Sequence, residues 1–82
     1  MNDVEEYVKL RDEAVLNCDI DKLTILQKKY NPHVYKGWVE SNEIVKLATL
    51  HKMACAITTM PEWRKDEARK WLQKFGMSEK IY

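Results

Sequence analysis

Apolar residues recur along this chain at helical spacing, in runs separated by short polar breaks. In the first run Val4, Tyr7, Val8, Ala14, Val15 and Cys18 fall on one side of a helix, interrupted by Arg11. The pattern predicts a helix from Asp3 to Asn17, capped by Asn2 or Asp3, with Glu5 and Glu6 at the positive end of its dipole. Ile20, Leu23, Leu26 and Tyr30 predict a second helix, capped by Asp19 and running through Tyr30. Asn17-Cys18-Asp19 leaves almost no linker, so the two helices are expected to form an antiparallel hairpin. Asn31-Pro32 stops the second helix, because the residue before a proline avoids the helical region.

Pro32 to Glu40 is the least periodic stretch. It is expected to hold a short helical turn near residues 32–37, with Val34, Tyr35, Trp38 and Val39 folded back over the helices. Another long helix is predicted from Ser41 or Asn42 to Thr58. Ile44, Leu47, Ala48, His51, Ala54 and Cys55 form one stripe, and Val45, Leu50, Met53 and Ile57 lie beside or opposite it. A helix apolar over so much of its circumference is expected to be central. Residues 59–76 read as a complete helix. Thr59 and Glu62 suggest a capping box, Pro61 suits the first turn, and Gly76 suits a left-handed closure with Met77 making the accompanying contact. Trp63, Ala68, Trp71, Leu72 and Phe75 are its expected buried side. The tail from Ser78 either frays or docks through Ile81 and Tyr82.

The chain's 82 residues make one domain, residues 1–82. Two glycines and two prolines are too few for the turns of a β-rich fold of this size. The fold class expected is therefore all-α: a small orthogonal or up-down bundle of four helices with a fifth short turn. The first 20 residues are acidic and carry no apolar signal core. The longest uncharged run, Met53 to Pro61, falls far short of the ~20 residues that span a bilayer. No membrane partner is expected, and Cys18 and Cys55 read as reduced cytoplasmic thiols.

Charge changes the picture more than composition does. Residues 1–27 carry seven acids against three bases, a net of −4, and residues 28–82 carry eleven bases against six acids, a net of +5. Such a division either solvates each face or steers a partner, or a second copy of the chain, to a complementary patch.

Candidate chemistry is sparse. His51 and Cys55 share a helix face, and Cys18 with His33 would complete a Cys2His2 zinc set, but no short Cys-x-x-Cys knuckle exists and both thiols lie on apolar stripes. No metal or cofactor is expected. The same His51–Cys55 pair is the local candidate for nucleophilic catalysis, yet a helix middle has no spare backbone donors for an oxyanion. Gly37 and Gly76 stand alone, so no phosphate loop is present. The chain is thus expected not to be an enzyme. Arg64, Lys65, Arg69, Lys70 and Lys74 load the outer face of the last helix, which suggests nucleic-acid binding as an alternative function. Against it, Glu62, Asp66 and Glu67 on that helix repel phosphates, and the turn Thr58-Thr59-Met60 lacks the glycine frequent in helix-turn-helix motifs. Three Trp and four Tyr exceed what so small a core must bury, which favours an interaction module binding a protein partner or itself. Trp38 with Tyr35 is the expected exposed anchor, while Trp63 and Trp71 are expected to fill the core.

The segment His51-Lys52-Met53-Ala54-Cys55-Ala56-Ile57-Thr58-Thr59-Met60-Pro61, followed by Trp71-Leu72 and Gly76, resembles small uncharacterised helical proteins carried by prophages and integrative elements of Gram-positive bacteria. The similarity covers about the last 35 residues. It implies a cytoplasmic accessory protein of a mobile element and carries no site to transfer.

Overall fold

The computed structural model describes residues 3–79, and among them it contains five α-helices and no strands. Asn2, Ile81 and Tyr82, assigned capping and docking roles above, lie outside the described residues.

Helices α1 (Asp3–Leu16) and α2 (Ile20–Tyr30) meet at a tight junction. The Cys18 N–H donates to the Val15 carbonyl at 3.3 Å and the Asp19 N–H to the Ala14 carbonyl at 2.8 Å. These are the paired bonds of a Schellman closure, and they place Cys18 in the left-handed region, with φ of 51°. Asp19 then turns into the cap of α2, its Oδ1 accepting from the Lys22 N–H at 3.0 Å. The Tyr7 ring tilts against Tyr30 with centroids 5.3 Å apart. The start of α1 therefore lies beside the end of α2, and the expected antiparallel hairpin forms.

Pro32 ends α2 and immediately begins α3 (Pro32–Glu40), a nine-residue helix where a turn over about 32–37 was expected. Proline fits the first helical position because its missing N–H has no partner there anyway. Gly37 weakens the intrinsic propensity of this helix, so tertiary contact must hold it. The contact is Trp38, only 7% exposed, whose indole N–H donates to Thr24 Oγ1 on α2 at 2.7 Å. A single buried residue makes no periodic stripe, which is why the sequence pattern shows so little here.

Helix α4 (Glu43–Ala56) is capped by Asn42, whose Oδ1 accepts from the Val45 N–H at 2.9 Å. It packs against α1, α2 and α5, as α2 packs against α1, α3 and α4, so α4 is packed on more than one side and shares the centre of the fold with α2. Its buried residues are Ala48, Leu50, His51 and Ala54, while Ile44 and Val45 stay exposed near its start.

Helix α5 (Glu62–Lys74) corrects two expectations. It begins at Glu62 rather than Thr59, and no capping box forms: Pro61 is the cap residue, with φ −66° and ψ 151° and no side-chain bond. Met60 precedes a proline and so avoids helical geometry. It turns inward instead and joins the core with Val15, Leu23, Leu26, Trp38, Leu50, Ala54 and Ala68. The second correction is the buried face, which consists of Arg64, Ala68 and Leu72, spaced by four. Trp63, expected in the core, is 60% exposed, and Phe75 is 43% exposed, packing on Trp71 at 4.4 Å between centroids. The C-terminus closes as expected. Gly76 has φ of 66°, its N–H donates to Gln73 at 3.0 Å, and the Met77 N–H donates to Leu72 at 2.8 Å.

A Cβ added at Gly76 would meet nothing within 4 Å, so only the left-handed backbone opposes substitution. Gly76→Ala is expected to cost about 1 kcal/mol of unfolding free energy in urea titrations. An unchanged midpoint would show that this closure does not depend on glycine.

Candidate functional site

Arg64 is the largest fully buried side chain of the described residues, with no exposed surface. It enters the interior because it stands one helical turn before Ala68 and two before Leu72 on the face of α5 that packs against α4. A guanidinium removed from water needs acceptors. Its Nε–H donates to the Val15 carbonyl at 2.9 Å, and Nη1 donates to His51 Nδ1 at 3.1 Å. Nη1 also lies 3.6 Å from Glu67 Oε1, a carboxylate more than half exposed. Nη2 has no partner among the described residues. Val15 lies in the last turn of α1, where carbonyls lack helical partners and the dipole is negative, so a buried cation is favoured there. One side chain of α5 thus ties the end of α1 to the middle of α4.

The bond to Arg64 fixes the state of His51. Arginine can only donate, so Nδ1 accepts and the ring proton sits on Nε2. Nε2 lies 3.9 Å from Cys18 Sγ, and the ring stacks on Trp71 with centroids 4.6 Å apart. Burial, helped by the positive charge of Arg64, pushes His51 from 6.5 down to about 4. Burial likewise pushes the Cys18 thiol up, with Arg64 opposing. Near neutral pH the pair is therefore a neutral imidazole beside a protonated thiol. A nucleophilic cysteine needs the reverse, a thiolate beside an imidazolium.

His51 is paired with Cys18 across the fold, not with its helical neighbour Cys55 as the spacing suggested. Burial raises the Cys55 thiol as well. Among the described residues, no group of three or more His, Cys, Asp or Glu is placed to hold a metal ion, so Cys18, His33, His51 and Cys55 do not assemble into a ligand set.

The surface differs from expectation in matching ways. Trp38 is buried and hydrogen-bonded, so it is not the exposed anchor, and Tyr35 is half-buried. Arg64 leaves the basic face of α5 altogether. Lys65 is half-buried. Arg69 is occupied by Asp66 at 2.8 Å and Glu79 at 2.9 Å. Lys70 and Lys74 remain exposed. Trp63 lies seven and eleven residues before them, so all three share one face of α5. Sequence reasoning missed Trp63 because an indole at near-helical offset from Trp71 looks like core. Counting from Ala68 and Leu72 alone would have put position 64 inside and 63 outside.

A second feature is a groove of about 480 Å³ between α1 and the end of α4. Val8, Met53, Ala56 and Ile57 supply its apolar lining, and Arg11 and Asp12 line it as a mutually bonded pair, Nη2 to Oδ1 at 2.9 Å. Val4, one turn before Val8, is 71% exposed. No helix of the described residues is long and apolar enough to cross a membrane.

Arg64→Ala leaves a cavity and two acceptors without their donor, and is expected to cost about 3 kcal/mol in urea unfolding. Arg64→Met keeps the volume without the charge and is expected to cost less than about 1.5 kcal/mol. It should also raise the His51 titration above its present value of about 4, followed by NMR. Equal losses in both variants would show that the lost hydrogen bonds, not the lost volume, set the cost.

The folded state holds His51 neutral while the unfolded chain protonates it near 6.5, so the unfolded state binds more protons between the two values. Stability is therefore expected to fall as pH drops from 6.5 toward 4, and His51→Gln should flatten that limb. Identical pH profiles for parent and variant would contradict the assignment. Compared with protein-family models, curated proteins and solved structures, the chain gives no significant match.

Proposed function

We propose that this chain is a non-enzymatic interaction module that binds a protein surface through the Trp63 face of α5. The observation that carries the reading is the exposure of Trp63, 60% of whose surface faces solvent while Trp38 is buried and Trp71 half-buried. Burying an aromatic side chain stabilises by about 1.5–3 kcal/mol, most of which Trp63 does not realise in the isolated fold. A partner can realise it, and Trp is the residue type most enriched among dominant interface contacts. Lys70 and Lys74 on the same face favour an acidic partner surface. The raised thiols and the neutral His51 give no activated nucleophile, which supports a binding role. The prophage resemblance suggests the setting, a cytoplasmic accessory protein of a mobile element.

Nucleic-acid binding by the same helix is the weaker reading. Burial of Arg64 and the pairing of Arg69 with Asp66 and Glu79 leave Lys70 and Lys74 as the outward cations of that face. Two such contacts give a small electrostatic term.

Tagged chain immobilised and exposed to nuclease-treated lysate is expected to retain a defined protein, and Trp63→Ala to lose it. Folding stability should stay within about 0.5 kcal/mol, because the side chain is mostly outside the fold. Retention of the same protein by the variant would remove Trp63 as the anchor. Loss of all bound material on nuclease treatment would favour nucleic acid.

A further inference from the structure

The groove between α1 and the end of α4 and the Trp63 face of α5 fit each other. We propose that they form one contact between two copies of this chain, Trp63 of each molecule entering the groove of its partner. The proposal rests on the reading of Trp63 as an interface anchor and names the partner as a second copy.

Chemistry of the two surfaces supports the match. The groove holds about 480 Å³, room for an indole, and Val8, Met53, Ala56 and Ile57 give it an apolar lining. Its two charged lining residues neutralise each other, since Arg11 Nε and Nη2 both donate to Asp12 Oδ1, at 3.1 and 2.9 Å. An entering indole therefore displaces no uncompensated charge. Of the two helices that wall the groove, α1 carries five acids against Lys9 and Arg11, a net of −3, and α4 carries Lys46 and Lys52 against Glu43, a net of +1, so the acidic side is that of α1. With Arg64 buried, helix α5 presents four bases against three acids, a net of +1. An indole seated against α1 brings Lys70 and Lys74, which share its face, over that acidic helix.

Connectivity supports a closed pair. Thr58 and Thr59 line the groove, and Trp63 follows Thr59 by four residues. Four residues reach at most about 14 Å, so knob and seat lie close together in each copy. Trp63 nevertheless stays 60% exposed in its own molecule. When a knob and its seat are adjacent, a two-fold axis between them lets each copy give and receive the same contact. The result is a dimer with two equivalent Trp63 contacts rather than an open chain.

Sedimentation velocity over a dilution series tests this with the full chain and two variants. Trp63→Ala removes the knob. Ala56→Arg blocks the seat at an exposed position in the last turn of α4, where a cation suits the helix dipole. The parent is expected to dimerise, more weakly as salt rises. Each variant should weaken dimerisation at least ~10-fold with unchanged circular dichroism. An equimolar mixture of the two retains one intact contact per heterodimer, so it should associate more tightly than either variant alone. A parent that stays monomeric at about 1 mM, a Trp63→Ala variant that dimerises like the parent, or a mixture no better than its components would each overturn the proposal. A monomeric parent that still retains a different lysate protein through Trp63 would overturn only self-pairing and leave the module reading in place.

Discussion

The Arg64 guanidinium lies inside the fold, and because it can only donate hydrogen bonds, its neighbours must accept. The acceptors come from two other helices: the Val15 carbonyl in the last turn of α1 and Nδ1 of His51 in the middle of α4. Each bond has a consequence beyond itself. Accepting at Nδ1 leaves the His51 proton on Nε2, facing Cys18. Using Val15 as acceptor seats the guanidinium at the negative end of α1. Placing position 64 inside turns its neighbour, position 63, toward solvent. The buried charge thus fixes a tautomer and the outward face of α5.

The junction after α1 shows how closely these features are linked. The Val15 carbonyl accepts both the Cys18 N–H of the helix closure and the Nε–H of Arg64, matching the two lone pairs of a carbonyl oxygen. The closure puts Cys18 at φ 51°, a conformation that glycine adopts at Gly76 in the equivalent closure of α5. A cysteine there accepts backbone strain, and its thiol packs against the core beside His51. Burial raises both thiols against the opposing charge of Arg64, whereas burial and that charge act together to depress the imidazole.

Local signals in the sequence were legible and tertiary ones were not. Asp19, Asn42 and Gly76 act at the helix ends where their chemistry placed them, since caps and closures involve only neighbouring backbone. The central role of α4 could also be read, because apolar residues around a helix demand several neighbours. Three differences between pattern and structure share one cause, in that residue type does not settle position. Trp38 reads as a surface anchor because its segment lacks period, but a single indole bonded to Thr24 holds that segment on α2. Trp63 reads as core because it is aromatic. Arg64 reads as surface because it is charged, although its place ahead of Ala68 and Leu72 puts it inside. The capping box failed for a local reason: the proline that suits a first turn also bars the residue before it from helical geometry. Of the expected basic face, Lys70 and Lys74 remain outward, and the exposed indole is on α5, not on α3.

What joins the fold to the proposed function is the register of α5, and Arg64 ties that register to α1 and α4. The most direct measurement is a long-range proton–nitrogen NMR correlation of His51, followed from pH 7 down to 5. The expected spectrum shows a neutral ring protonated at Nε2 throughout, since burial and Arg64 hold its titration near 4. A ring protonated at Nδ1, or an imidazolium already present at pH 6, would mean that Arg64 does not donate to it, and the arrangement built on that bond would be wrong.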